Sequence, residues 1–104
     1  MSRQHKMLTT ELQKALPDLY SQDGKGMDAV AVVHYFSPYS GWDWYGTEFD
    51  GEDTFFGLVR GFETELGYFS LRELSETMIS IGGVMVPAVE RDLYWTPKKL
   101  SELA

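Results

Sequence analysis

The sequence predicts an α+β fold, an antiparallel β-meander of about four to five strands with an N-terminal helix, a middle helix and a short C-terminal helix. Thr10 and Ser70 are each followed three residues later by Gln or Glu, which is the capping-box spacing that opens a helix. Between these positions, strand-like stretches follow one another, and Asp50-Gly51 is a strong hairpin signal.

The first helix and the first strand are predicted from the stretches TTELQKALPDLY and DAVAVVHYFS. The helix carries an apolar stripe, and Pro17 should end it near Ala15 or Leu16, because proline cannot donate to the preceding turn. A loop at SQDGKGMD separates the two elements. The strand is apolar on both alternating faces, so we expect helices on one side and a loop or a partner on the other.

The next two strands are predicted at WDWYGTEF and TFFGLVRGF, joined by the Asp50-Gly51 turn. Strict alternation places Trp42, Trp44, Gly46 and Glu48 on one face and Asp43, Tyr45, Thr47 and Phe49 on the other. Gly57 and Gly61 are expected to mark a bulge or a close backbone approach.

The second half of the chain is predicted with shorter elements. ETELG is expected to turn the chain into the short strand YFS, which leads to the helix SLRELSETM. ISIGGVMVP is interpreted as a loop leading to a short strand that Pro87 closes, and RDLYW as an edge strand. The terminal TPKKLSELA is predicted to be a helix, with Thr96 as its cap and Pro97 in its first position.

The length of 104 residues is that of a single domain, 1–104. The chain has no cysteine, which excludes disulfides, thiolate metal sites and cysteine nucleophiles. Its first residues lack an apolar signal core, and the longest apolar run, Ala29 to Val33, is far shorter than the roughly 20 residues that cross a bilayer. We therefore expect a soluble, cytoplasmic protein without membrane contact.

The net charge of −7 is concentrated in one stretch. Between Asp43 and Glu76 there are nine acidic and two basic residues, which is the whole excess, and the rest of the chain carries seven of each sign. Such a field attracts basic partners, whereas direct nucleic-acid binding needs clustered Lys and Arg. The predicted partner-binding residues are the acids around the hairpin and those that follow it: Glu48, Asp50, Glu52, Asp53, Glu63 and Glu65.

A calcium site is a weak interpretation of these acids. Counted from Asp50, the sixth residue is Phe55 and the twelfth is Gly61, so the spacing of an EF-hand calcium loop is absent. A hairpin turn whose acids are merely hydrated is the default interpretation, and an interaction surface comes second. No metal site, cofactor site or catalytic residue is predicted.

The aromatic residues Tyr39, Trp42, Trp44 and Tyr45 are the second candidate site. Exposed rings there could stack a small ligand or a single-stranded nucleic acid, or anchor a protein. Packing of both tryptophans against helices is the favoured interpretation, and exposure of both rings would favour a contact surface instead. His34 lies within the most apolar strand and is expected to be a satisfied histidine of the sheet, while His5 falls in an N-terminal arm expected to fray.

Three long stretches of the chain resemble one bacterial family: LTTELQKALPDLYSQDGKGMDAVAVVHYFSP, WDWYGTEFDGEDTFFGLVRGFETELGYFSLREL and VERDLYWTPKKLSEL. The likeness is to the family catalogued as domain of unknown function 2958, and it covers the chain from Leu8 to Leu103. This resemblance implies a stand-alone domain often encoded on plasmids, phages and integrating elements. It implies no reaction and no catalytic residue.

The leading hypothesis is a non-enzymatic interaction protein that engages a basic surface of a host or element-encoded protein. One form of it is an antagonist of restriction or CRISPR-type defence, whose carboxylates replace the phosphates of DNA. The alternative is the small-ligand or single-strand binding module with the Trp/Tyr platform. A hydrolase using Glu48, Asp50 or Asp53 with His34 is the third hypothesis. The sequence does not determine the oligomeric state.

Overall fold

The computed structural model describes residues 6–103, and His5 lies outside them. The elements, in chain order, are α1 (Thr10–Ala15), a 3₁₀ turn (Gly26–Asp28), β1 (Val30–Ala31), β2 (Val33–Phe36), β3 (Asp43–Phe49), β4 (Thr54–Arg60), β5 (Thr64–Ser70), α2 (Leu71–Glu76), β6 (Met78–Ile81), β7 (Val84–Pro87), β8 (Glu90–Arg91), β9 (Lys98–Lys99) and a second 3₁₀ turn (Leu100–Leu103). The described chain is thus mixed α+β, with mostly antiparallel strands and few helices.

The main sheet has five strands in the spatial order β5-β4-β3-β2-β8. Strands β2 to β5 form an antiparallel meander, because each pairs with its neighbour in sequence. Two smaller pairs stand beside it, β6 with β7 and β1 with β9. The five-stranded sheet agrees with the fold class that the sequence predicts.

Helix α1 begins at Thr10, so its cap lies one residue before the predicted cap. The Thr9 hydroxyl, not that of Thr10, accepts a hydrogen bond from the Leu12 amide at 3.1 Å, which satisfies one of the free N–H groups of the first turn. The helix ends at Ala15, with Leu16 in an extended conformation before Pro17. This end confirms the prediction made from the proline.

The predicted first strand is two strands in the structure. Strand β1 pairs with β9, whereas β2 pairs with β3 on one side and with β8 on the other. The break lies at Val32, whose amide donates to the Gly46 carbonyl at 2.8 Å. The apolar stretch that was predicted as one strand therefore contributes strands to two different sheets.

A β-bulge in β3 changes the predicted alternation of faces. The register against β4 shifts between Gly46 and Glu48, and the hydroxyl of Thr47 donates to the Phe56 carbonyl at 2.9 Å. One extra residue moves every later side chain to the other face. Phe49 consequently joins Trp44 on one side of the sheet, and the predicted placement of Glu48 beside Trp44 is wrong.

Glycines permit close contacts at two predicted positions, with the backbone of β3 at Gly57 and with a side chain at Gly61. A Cβ on Gly57 would lie 1.8 Å from the Tyr45 carbonyl oxygen, and a Cβ on Gly61 would lie 2.4 Å from the Trp42 ring. Both positions therefore lack room for a larger side chain. The predicted bulge lies in the neighbouring strand β3 and not at either glycine.

The second half of the chain departs further from the prediction. The turn after β4 is Gly61–Glu63. Strand β5 therefore runs from Thr64 to Ser70 and includes all of the predicted turn ETELG except Glu63. The predicted loop ISIGGVMVP is the β6–β7 hairpin. Only Glu90–Arg91 extends as an edge strand, and the predicted C-terminal helix is β9 followed by a 3₁₀ turn.

The core consists of two clusters on opposite faces of the main sheet. The first includes Tyr35, Phe49, Phe55 and Leu74 and is covered by the two helices and the segment at Ala88 and Val89. The second contains Ala29, Ala31, Tyr45, Leu58 and Leu100, with Trp95 and Leu103 packed against it. The C-terminal segment therefore covers the face that the sequence left to a loop or a partner. No helix within the described range is long and apolar enough to cross a membrane.

Candidate partner-binding site

The β3–β4 turn is organised by the exposed carboxylate of Asp50. Its Oδ1 accepts hydrogen bonds from the amides of Glu52 (2.8 Å), Asp53 (2.8 Å) and Thr54 (3.0 Å). The bond from Glu52, then that from Asp53, lowers the pKa of Asp50 below its ordinary value of 3.8. Gly51 supplies the positive φ of 88° that the turn requires. Asp50 thus builds the turn while its carboxylate stays accessible.

Asp53 joins this turn to the start of α2. Its carboxylate accepts from the Ser70 hydroxyl and from the Arg72 amide, the latter at 2.7 Å. The Ser70 oxygen also accepts from the Glu73 amide at 3.1 Å, which confirms the predicted cap of the middle helix. Asp53 is half-buried and already bonded, whereas Glu52 is exposed. Of these two acids, Glu52 has the freer carboxylate.

Glu48 does not belong to the exposed acidic surface that the sequence predicts. Its side chain is only 3% exposed, because the bulge at Thr47 turns it toward the loop that precedes β1. The carboxylate accepts from the amides of Tyr20 (2.8 Å) and Gln22 (2.7 Å). Glu48 therefore holds this loop, and its proposed contact with a partner's surface is corrected to an internal role.

Glu63 and Glu65 are exposed but lie at the other end of the sheet. Thr54 pairs with Ser70 at one end of the β4–β5 ladder, and Arg60 pairs with Thr64 at the other. Seven-residue strands span about 20 Å at 3.3 Å per residue. The predicted single acidic patch is thus two groups. We call Glu63 and Glu65 the β5 acids. We call Asp50 and Glu52 the turn acids, together with Glu73, an exposed acid of α2 that the prediction did not include.

These exposed acids have little internal neutralisation. The ion pairs within residues 6–103 join Arg72 to Glu76 at 3.6 Å and His34 to two aspartates. None of them includes a turn acid or a β5 acid. Both groups therefore keep their charge available to solvent or to another molecule.

The four predicted stacking residues do not form one platform. Trp42 and Trp44 are half-buried neighbours with ring centroids 5.9 Å apart, and Trp44 packs against the first core cluster. Tyr39 is 48% exposed and lines a cavity of about 320 Å³ together with both tryptophans. Tyr45 is buried on the opposite face, so its prediction as part of the platform is wrong.

His34 lies between two carboxylates on the second face of the sheet. Its Nε2 is 2.7 Å from Asp43 Oδ1, and its Nδ1 is 2.9 Å from Asp92 Oδ2. The ring stacks on Tyr45 with centroids 4.5 Å apart. Burial, followed by the Asp43 carboxylate, raises the pKa of Tyr45. Both ring nitrogens are occupied, so this histidine connects the C-terminal segment to the sheet.

Asp92 and the loop containing Tyr20 and Gln22 were missed by sequence reasoning. Asp92 carries no local signal, because its contact with His34 depends on how β8 pairs with β2. Asp43 could have been found, since alternation places it on the same face as Tyr45, which lies opposite His34. The contact between this loop and Glu48 could not have been predicted from the sequence, because it depends on the bulge in β3.

Fold and site together define a small α+β protein built on a five-stranded antiparallel sheet. The chain belongs to the family described as "Protein of unknown function (DUF2958)", whose model matches residues 6–104. No curated protein and no solved structure matches it. Within the described chain, no group of three or more His, Asp or Glu side chains is placed to hold a metal ion.

Proposed function

We propose that this protein is a non-enzymatic, cytoplasmic interaction protein that engages a basic surface of a host or element-encoded protein. The observation that carries the proposal is the exposure of the turn acids and the β5 acids without a Lys or Arg partner among residues 6–103. Carboxylates in these positions would steer a basic partner and make its association sensitive to salt.

An antagonist of a nucleic-acid-binding defence protein is the form of this function that we favour. The two acidic groups lie about 20 Å apart at the ends of β4 and β5, a distance suited to a surface that contacts separated phosphates. Protein surfaces that bind DNA specifically bury about 1,000–2,500 Å², which is broad enough to span this distance. The resemblance to a family of proteins often encoded on plasmids, phages and integrating elements supports the same form of the function.

The occupied ring nitrogens of His34 support a role without catalysis. A general base must offer a free nitrogen within hydrogen-bond reach of its substrate. Here Asp43 and Asp92 engage both nitrogens. Glu48, which the third hypothesis would use with His34, is engaged by the loop before β1.

The test is capture of partners from lysate of a bacterial host at low and at raised salt. We expect a basic nucleic-acid-binding protein that is released by raised salt and by added duplex DNA. The variant Glu52→Gln/Glu73→Gln and the variant Glu63→Gln/Glu65→Gln should each weaken capture. The matched control Glu11→Gln/Glu102→Gln removes two exposed charges outside the acidic stretch and should leave capture unchanged. Salt-indifferent capture, or equal losses in the control, would refute the proposal.

A second candidate function is binding of a small ligand or a single-stranded nucleic acid at Tyr39 and Trp42. The specific observation is the cavity of about 320 Å³ that these residues line with Trp44, Met78 and Ile79. Stacking on Trp42 would change its fluorescence. Unchanged emission during titration with oligonucleotides, nucleotides and sugars would dismiss this function.

A further inference from the structure

Strand β5 presents the longer open edge of the main sheet. It stands at one end of the strand order and pairs with β4 along all seven residues without a register shift. The strand at the opposite end, β8, has two residues. Edges of this length are templates for another strand unless charge or cover protects them.

The backbone groups of β5 that face the open edge follow from two hydrogen bonds. The Gly61 amide donates to the Glu63 carbonyl at 3.0 Å, and the Leu71 amide donates to the Asp53 carbonyl at 2.8 Å, one at each end of the β4–β5 ladder. Antiparallel ladders alternate between bonded and non-bonded pairs. Counting from the hydrogen bond at either end of the ladder gives the same result: Glu65, Gly67 and Phe69 form the backbone hydrogen bonds with β4. The amides and carbonyls of Thr64, Leu66 and Tyr68 therefore point outward.

One exposed side chain of this edge, that of Leu66, borders a cavity. Leu66 is 42% exposed and Tyr68 is 57% exposed. Leu66 also lines a cavity of about 320 Å³ together with Phe56, Gln22, Asp23 and Glu48. That volume lies at the lower end of the range of about 300–1,000 Å³ typical of small-ligand sites. An added strand would direct alternate side chains toward this cavity.

The charge around the cavity selects the occupant. The lining includes two carboxylates, Asp23 and Glu48, and no Lys or Arg. Each oxygen of Glu48 accepts one backbone amide and keeps further acceptor capacity. The β5 acids, Glu63 and Glu65, stand at the start of the same edge. A cationic side chain is therefore favoured in the cavity, and an acidic one is disfavoured.

We propose that β5 accepts an extended basic segment of the partner as a sixth strand, with a Lys or Arg side chain entering the cavity beside Asp23 and Glu48. The inference rests on the proposed function, because it specifies how the basic partner docks. Main-chain hydrogen bonds to Thr64, Leu66 and Tyr68 supply the affinity, and the cavity supplies the preference for a cation.

The experiment uses two synthetic octapeptides, one of alternating Thr and Lys and one of alternating Thr and Glu. Amide hydrogen exchange of the isotope-labelled protein is followed by NMR with each peptide. We expect the Lys peptide, and not the Glu peptide, to slow exchange at Thr64, Leu66 and Tyr68. Equal effects of the two peptides, or protection confined to other strands, would overturn the inference.

Two variants sharpen the test. Asp23→Asn removes a charge from the cavity and should weaken binding of the Lys peptide about two- to fivefold. The matched control Asp18→Asn changes an exposed aspartate of the same loop that does not line this cavity, and it should have no effect. Equal affinities of the two variants would count against the cavity.

Leu66→Pro removes an outward amide while leaving the β4-facing bonds of Glu65 and Gly67, so we expect loss of peptide binding with the sheet intact. Circular dichroism checks that the variant is folded. If it is unfolded, the amide-exchange experiment on the unaltered protein decides the question instead. If a basic partner is captured from lysate but the β5 amides gain no protection, the edge inference fails and the proposed function stands. If no basic partner is captured and the Lys peptide also fails to bind, both fail.

Discussion

Single residues carry the local structure of the acidic turn, and Asp50 shows how. One of its carboxylate oxygens accepts three backbone amides, so the residue satisfies donors that would otherwise depend on water. The same hydrogen bonds stabilise the negative charge of Asp50, although other carboxylates lie close to it in the sequence. A residue predicted for partner contact thus also has a structural task.

Replacing Asp50 by Ala should lower the free energy of unfolding by about 1 kcal/mol, as loss of a capping side chain does. Asp50→Asn keeps one acceptor oxygen and should retain most of that stability at neutral pH. Urea denaturation measures both.

The pH dependence of stability should distinguish the native protein from the Asp50→Asn variant. Because the pKa of Asp50 is depressed in the folded protein, its ionised form contributes stability above the ordinary value of 3.8, and this contribution is lost as pH falls through the folded pKa. The stability advantage of the native protein over Asp50→Asn should therefore shrink below about pH 4. A difference that stays constant down to strongly acidic pH would contradict this interpretation.

Gly57 is required by close packing of backbones. Gly57→Ala places a methyl group within 1.8 Å of the Tyr45 carbonyl oxygen, which β3 cannot avoid without moving. We expect a loss of at least about 2 kcal/mol in unfolding free energy. Gly67→Ala is the control, since a Cβ there meets nothing within 4 Å, and it should change stability by less than about 0.5 kcal/mol. Thermal denaturation compares the two, and similar melting temperatures would contradict the argument.

Among the elements, the loop before β1 depends on a side chain from β3. Glu48 is buried and accepts the amides of Tyr20 and Gln22, and Tyr20 has a positive φ of 72° that a non-glycine residue rarely adopts. A hydrogen bond with Tyr20 is in turn the main cause of the raised pKa of Tyr68 on β5. The loop is thus linked to two strands of the sheet.

Glu48→Ala leaves two amides without their acceptor and should lower the unfolding free energy by about 1–3 kcal/mol. Amide exchange at Tyr20 and Gln22 should accelerate more than elsewhere. Glu52→Ala, at an exposed position four residues later, is the control and should stay within about 0.5 kcal/mol. Equal effects of the two substitutions would show that the loop does not depend on Glu48.

A local sequence signal led to a correct prediction at some elements and was misinterpreted at others. The start of α2 depends on Ser70 and Glu73, which are three residues apart, and its cap formed as predicted. The β6–β7 hairpin was missed, although Gly82 and Gly83, with φ of 57° and 84°, are typical of a two-residue type I′ turn. There the signal was present in the sequence and was misinterpreted as a loop.

Across the whole molecule, the sheet is stable because both of its faces are covered. The first face packs against helices, and the second is covered by the chain that follows Asp92. Leu100 is 1% exposed and packs in the second cluster, and its amide donates to the Ala29 carbonyl at 3.0 Å. The C-terminal segment is therefore part of the core.

Leu100→Ala should lower the unfolding free energy by about 2–4 kcal/mol, because it removes buried methyl groups and leaves a cavity. Such a loss is large against a total of about 5–15 kcal/mol for a domain. The control Leu66→Ala, at a partly exposed leucine, should cost less than half as much. Chemical denaturation measures both, and a small effect at Leu100 would mean that the second cluster contributes little.

The sequence by itself determined the α+β class, the starts of α1 and α2 within one residue, the Asp50-Gly51 turn and the concentration of acids between Asp43 and Glu76. These features depend on residues close together in the chain. Tertiary structure alone decided that Glu48 is buried, that Asp92 meets His34, that the acids form two groups and that β5 is an open edge. Each of these depends on strand register and on pairing between distant segments, which a bulge of one residue is enough to change.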